Sequence, residues 1–301
     1  MTKNKLSKST INKIDKKRYI NLLNVQNQTT PLILTFGASN PVTAIGIQAD
    51  LSSFAAMGCH GVPVLTTILV GDTTQIDDTH PLDADLVSDQ ARTVLEDMEI
   101  IAIKVGQVGS VENITVIAEI VSDYPEMPMI LDPFDSSVPE PESEAEDILL
   151  AIRELLIPQA TLLLISAVEL TRLAESWSES VIPTTPAKQD DMAADVMTLI
   201  ESGCEYVLVT GVAGQGNDIE NILFNDEGIV RRDLWQRVPG TYMGAGNTLS
   251  AAITAVLANG MDMADAVHEA QEFTLASINH AQRLGMGKLI PDHYFWAKEP
   301  E

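Results

Sequence analysis

Gly240-Thr-Tyr-Met-Gly-Ala-Gly-Asn-Thr-Leu-Ser-Ala-Ala-Ile-Thr-Ala-Val-Leu-Ala-Asn-Gly260 runs a glycine-rich loop straight into an apolar, alanine-rich helix. Gly244 and Gly246 let the backbone turn tightly and approach a ligand closely. The first N–H groups of the helix have no partner within it, and the helix dipole adds positive potential behind them. Gly244, Ala245 and Gly246 are therefore read as an anion hole, with the side chain of Asn247 projecting toward the anion. A carboxamide does not take up a proton near neutral pH, so position 247 offers no base.

Outward from this stretch, strands alternate with amphipathic helices. Residues 31–36 read as a buried strand ending at Gly37, followed by a helix from Gly46 with Ile47, Leu51, Phe54 and Ala55 on one face and Gly58 as its stop. Residues 62–70 are β-rich, and 83–98 carry apolar residues at helical spacing. The alternation continues with strand 100–105, helix 111–123, strand 128–132, helix 144–156, strand 161–165, helix 167–176, helix 189–202 and strand 206–210. A hairpin turn is expected at 225–228, and helices at 247–259 and 263–283 close the chain. This order predicts a doubly wound, mostly parallel sheet with helices on both faces. Ligands in such sheets sit at the carboxyl ends of strands, so the loops at 37–46, 71–74, 106–110, 132–143, 211–217 and 240–247 are the site candidates.

The chain has 301 residues and a net charge of −25. Seven Lys/Arg lie within residues 1–20 against Asp15 alone, leaving 11 basic and 42 acidic residues in the remainder. An acidic body of this kind repels nucleic acid and anionic membranes. Residues 1–28 are expected to be a basic, solvated tail, and 29–301 a single domain. No apolar run reaches membrane-spanning length and no secretory pattern follows the basic start. Cys59 and Cys204 have no metal or redox spacing and fit two buried, reduced thiols of a cytoplasmic protein. The five histidines show no ligand spacing, with His60 read as structural, and the three tryptophans are too scattered to form a base-stacking platform.

Gly46-Ile-Gln-Ala-Asp-Leu, Ile103-Lys-Val-Gly-Gln-Val-Gly-Ser, Leu131-Asp-Pro, Val207-Leu-Val-Thr-Gly and Gly244-Ala-Gly-Asn-Thr-Leu-Ser-Ala-Ala occur in the order and spacing of one family. Over residues 31–295 the chain resembles the hydroxymethylpyrimidine/phosphomethylpyrimidine kinases of thiamine biosynthesis, within the ribokinase-like superfamily. The resemblance implies a ribokinase-like three-layer α/β/α fold, a homodimer, and transfer of the γ-phosphoryl of ATP, with Mg2+, to a small pyrimidine alcohol or its phosphate. It further implies a substrate pocket at Asn40, Gly46, Gly71 and Gln107, nucleotide contacts at Thr210 and Gly211, and metal-organising carboxylates at Asp132 and Glu169. Lys104 corresponds to the family's strand-end lysine, read either as a phosphate contact or as part of the scaffold.

The departures from the family pattern fall on the loops. The final loop of the family ends in Cys or Asp where this chain has Asn247. Asn40 stands for Asp, Thr43-Ala44 for a glycine pair, Gly71 for a ring-reading Gln or Glu, and Gln107 for Met. Ser166 replaces the Asn of an Asn-x-x-Glu motif that keeps Glu169, and Phe134-Asp-Ser-Ser replaces a Lys/Gly-rich segment. A missing base typically costs ~10²–10⁴ in rate, so weak phosphoryl transfer is expected. Asp72 or Asp135 is the candidate replacement base. The alternatives are a non-catalytic paralogue that binds a nucleotide or metabolite, and a kinase for a different small alcohol.

Overall fold

The computed structural model describes residues 30–139, 144–176 and 189–297. Nine strands form one sheet: β1 (Leu32–Ser39), β2 (His60–Gly71), β3 (Ile76–Pro81), β4 (Ile100–Val105), β5 (Met129–Leu131), β6 (Leu162–Ser166), β7 (Tyr206–Ala213), β8 (Asp218–Asn225) and β9 (Gly228–Gln236). Their spatial order is β3-β2-β1-β4-β5-β6-β7-β8-β9. The six strands β2, β1, β4, β5, β6 and β7 run parallel, and β3, β8 and β9 add antiparallel edges. This is the expected doubly wound α/β/α architecture, and Pro31–Glu301 group into one compact unit. The basic tail expected over residues 1–28 lies outside the described residues.

Helices cover both faces because the strands are apolar on both. Along β6, Leu162 and Leu164 enter one core while Leu163 and Ile165 enter the other, as the two-residue period of a strand requires. One face carries α1 (Ile47–Ala56), α7 (Ala245–Ala258) and α8 (Met263–Asn279), with Phe54, Ala251, Ala255, Ile253 and Val267 in its core. The other carries α2 (Ala84–Asp97), α3 (Val111–Ser122), α4 (Ala145–Ala151), α5 (Ala167–Glu175) and α6 (Gln189–Glu201). Side-chain caps fix several starts: Asp83 on α2, Ser110 on α3, Asp262 on α8, and a reciprocal Ser166/Glu169 box on α5.

Three elements differ from the sequence reading. Strand β3 was not anticipated, because Ile-Asp-Asp-Thr-His-Pro is polar and only Ile76 is buried; it forms by pairing along the free edge of β2. The helix expected over 144–156 is α-helical only to Ala151, then widens through Ile152–Leu156 and tightens over Ile157–Gln159, where Pro158 cannot continue the ladder. The last helix stops at Asn279 instead of 283, and Gln282 turns back to bridge Ile290.

The strand order reverses between β1 and β4, so the loops leaving these two strands diverge and open a crevice at the carboxyl end of the sheet. The loop after β1 returns at Gly46, whose φ of 68° and close approach to the Ala38 carbonyl leave no room for a Cβ. Gly46→Ala is expected to destabilise the protein by roughly 2 kcal/mol or more, from left-handed strain plus backbone displacement. Urea unfolding with a wild-type midpoint would contradict this.

Candidate active site

Thr35 on β1 and Lys104 on β4 are register partners, and both point to the face covered by α1. There they meet Asp50, an acidic residue on the buried stripe of α1. Thr35 Oγ1 donates to Asp50 Oδ2 at 2.7 Å, and Lys104 Nζ lies 2.9 Å from Asp50 Oδ1. Both charged side chains are essentially inaccessible, at 0% and 1%. The ammonium sits off the axis of a hydrogen bond, so the contact is an ion pair and its N–H groups keep unused donor capacity. A buried lysine in this state needs negative charge around it. Besides Asp50, Asp132 supplies some, since Lys104 acts electrostatically on its carboxyl group.

Asp132 follows β5 and is held by α7 from above: Ser250 Oγ donates to its Oδ2 at 2.6 Å. Burial pushes the Asp132 carboxyl up from its ordinary 3.8 to about 6. Lys104 and the Ser250 hydroxyl oppose that rise, whereas Glu169 and Asp135 add to it. The first turn of α7 lies over this group. Gly244 is its N-cap with φ 91°, and no side chain caps the N–H groups that follow. Asn247 turns its amide inward, with Nδ2 donating to Asp50 Oδ1 at 3.4 Å. At the next residue, Thr248 Oγ1 lies 2.9 Å from the ring of His293, whose pKa is lowered chiefly by burial.

Above these residues lies a cleft of about 250 Å³. Its walls bring together Asp132, Asp135, Glu169, Thr210, Gly244, Ala245, Gly246 and Asn247, eight of the positions singled out in the sequence. Ser136, Ser137 and Tyr242 also line it. Glu169 is partly engaged, since its Oε2 accepts from the Ser166 N–H at 2.8 Å. Gly211 stands just beyond the cleft with φ 70°, its N–H donating to Asn221 Oδ1 at 3.0 Å. A second cleft of about 280 Å³ opens beside the first and shares Tyr242, Ala245 and Leu249 with it. Ile219, Val238, Leu275 and Ile278 make it largely apolar, and Trp235, Asn221 and Gln271 bring polar atoms.

The other expected pocket residues are placed differently. Asn40 is fully buried and shapes its own loop: its Oδ1 accepts from Val42 N, and its N–H donates to Gln48 Oε1. Its Nδ2 has no partner. Gly46 serves the close approach described above. Gly71 closes the β2–β3 hairpin, where a Cβ would press on Gln75 and Ile76. Thr43 occupies the left-handed region at φ 60°. Val42, Ala44 and Ile45 pack with Met243, Val138 and Ile290. Gln107 lines a small recess with Val108, Gly109, Phe134 and Asp135. Asp72, one candidate replacement base, is exposed and spends its carboxylate on the Thr74 and Gln75 N–H groups, outside the cleft. Sequence reasoning gave no role to Asp50 or Ser250. The signal for Asp50 was there, as an acid on the apolar stripe of α1 opposite a lysine inside the apolar run of β4.

The raised Asp132 carboxyl predicts a pH signature. Unfolded, it releases its proton near pH 4; folded, it does so near pH 6. The stability it contributes is therefore present at pH 4 and lost as pH rises to 6, a swing of up to about 3 kcal/mol. Denaturation of wild type and Asp132→Asn across that window checks it: the variant should gain on wild type from pH 4 to 6 and then run parallel.

A family model for phosphomethylpyrimidine kinase matches residues 41–292 of the chain. A hydroxymethylpyrimidine/phosphomethylpyrimidine kinase of Rhizobium meliloti is 29% identical over 276 residues, which cover 90% of this chain and 100% of that protein. Among solved structures, the ADP complex of Bacillus subtilis pyridoxal kinase is 25% identical with a TM-score of 0.76, over 90% of this chain and 100% of that one. A phosphomethylpyrimidine kinase from Clostridium difficile 630 is 26% identical with a TM-score of 0.67, over 83% of this chain and 100% of that one. With the sheet order, the α7 turn and the ordered motifs all in agreement, the chain belongs to the phosphomethylpyrimidine kinase family.

Proposed function

We propose that this protein is an ATP-dependent kinase of hydroxymethylpyrimidine or its phosphate in thiamine biosynthesis, with phosphoryl transfer at the first turn of α7. The observation that carries this reading is the uncapped α7 N-terminus opening into a cleft that already holds Asp132, Glu169 and Thr210. Transferring phosphoryl groups are stabilised chiefly by positioned donors and cations. The N–H groups of Ala245, Gly246 and Asn247 supply the donors. The adjoining apolar cleft, with Asn221 and Gln271 at its polar end, suits the nucleobase.

Among the described residues no group of three or more His, Cys, Asp or Glu is arranged to hold a metal ion. That fits magnesium carried by the nucleotide, which needs only one or two carboxylates from the protein. Asp132 and Glu169, which both line the cleft, are the residues that would hold it. When bound, the ion supplies positive charge for the phosphate oxygens.

Asn247 leaves position 247 without a proton acceptor of its own. Its amide is a donor, used on Asp50, and it takes no proton from the attacking hydroxyl. Loss of a base slows such steps by ~10²–10⁴. The same contact favours the second reading, a paralogue that binds nucleotide or pyrimidine with little turnover, because the amide serves the scaffold well. A coupled assay with hydroxymethylpyrimidine and its phosphate separates the two. Slow turnover that rises ~10-fold or more in Asn247→Cys or Asn247→Asp is expected. No turnover in any of the three, with ATP still binding by calorimetry, would establish the second reading. Asn247→Asp should also lose some stability, since it sets a second carboxylate against Asp50.

A further inference from the structure

Among the described residues, Asp135 is the one ionisable side chain that lines both the phosphate cleft and the Gln107 recess, and only Phe134 is shared with it. The turn that presents it is held in place. Ser137 N–H donates to Asp135 Oδ1 at 2.8 Å, and Lys288, from the loop that follows α8, donates from Nζ to Ser137 Oγ at 3.1 Å. The same loop is tied to the β2–β3 turn through the Lys288 N–H, which donates to the Thr73 carbonyl and so anchors the residue that holds Ser137. Glu169 is used in part by the α5 cap and Asp132 by Ser250, whereas Asp135 has only its own turn.

Resting on the kinase reading above, we infer that Asp135 is the proton acceptor of the transfer step, presented to an alcohol whose reacting arm enters from the Gln107 recess. The hydroxyl oxygen bonds to the γ-phosphorus as the bond from that phosphorus to the bridging oxygen of ADP breaks. The hydroxyl proton passes to the Asp135 carboxylate, and ADP leaves with the bridging oxygen and its electron pair. Lys288 acts as a positioning residue through Ser137. Burial raises the Asp135 carboxyl above its ordinary value, toward the working range of a base. The Ser137 donors, Lys288 and Lys104 hold it down, while Asp132 and Glu169 are the acidic groups sharing its cleft.

The test measures kcat and KM for ATP and pyrimidine against pH in wild type, Asp135→Asn, Asp135→Glu and the double variant Asp135→Asn/Asn247→Asp, alongside nucleotide binding by calorimetry. The expected result is a fall in kcat of ~10²-fold or more in Asp135→Asn, with loss of the acid limb of the pH profile. ATP affinity should hold or rise, since Asn removes a negative charge that faces the triphosphate, so the loss falls on kcat and not on nucleotide binding. Asp135→Glu should keep part of the rate, and the double variant should recover it, because a carboxylate at 247 offers a second acceptor. Wild-type kcat and an unchanged acid limb in Asp135→Asn would overturn the assignment while leaving the kinase reading intact. A wild-type protein that binds ATP but phosphorylates neither pyrimidine would overturn both.

Discussion

The buried pair Asp50–Lys104 is the constraint from which the site follows. Two charges removed from water are tolerated only when each finds the other and their remaining bonding capacity is mostly met. Here the pair joins the helix after β1 to the strand on the far side of the topological switch, with Thr35 as a third point. Asn247 extends the contact to α7, and the field of the lysine reaches Asp132 after β5. Four segments distant in sequence are thus held to one buried charge pair. The α7 N-terminus is thereby fixed over the carboxyl ends of the strands, where its open N–H groups face the cleft.

That constraint also gives a physical account of Asn247. A carboxylate here would stand against the buried Asp50, where like charges raise one another's pKa and cost stability. A carboxamide instead donates to Asp50. The gain belongs to the scaffold, and the side chain at 247 offers no proton acceptor. Thr43 shows a related exchange in the first loop, where family members carry glycine. It holds a left-handed conformation that disfavours a β-branched residue by roughly 1–2 kcal/mol, and the loop stays in place because Ala44 and Ile45 are buried beside Met243 and Ile290. The first loop rests on apolar packing of its own, and both cores of the sheet are filled.

Much of the fold was legible. Continuous apolar strands such as Leu-Leu-Leu-Ile and helical stripes such as Ile47, Leu51 and Phe54 have periods that sequence displays directly. Six of the parallel strands and the hairpin at 225–228 follow from them. The polar edge strand β3 was hidden because its pairing is offered by β2 and not by its own residues. The widened end of α4 was hidden because it reflects competition between Pro158 and packing. That the loop residues 244–247, Asp132, Glu169 and Thr210 would lie near one another at the strand ends was legible because glycine, strand-end acid and helix start are local patterns. Ser250 and Asp50 were passed over, since a serine in an alanine-rich helix and an aspartate in an amphipathic one look ordinary until their partners are known.

The sequence by itself determined the layer order, the positions of the crossover loops, the glycine turn that starts α7 and the absence of a titratable group at 247, because each depends on residues close together in the chain. Only the tertiary structure decided that Lys104 is spent on Asp50, that Asn40, Gly46 and Gly71 shape loops, and that Asp135 stands between two cavities. Those outcomes depend on which side chains meet across the sheet, on distances of 3 Å or so between residues tens to hundreds of positions apart. Periodicity specifies the face on which a side chain lies; burial and pairing across the fold specify what it can do there.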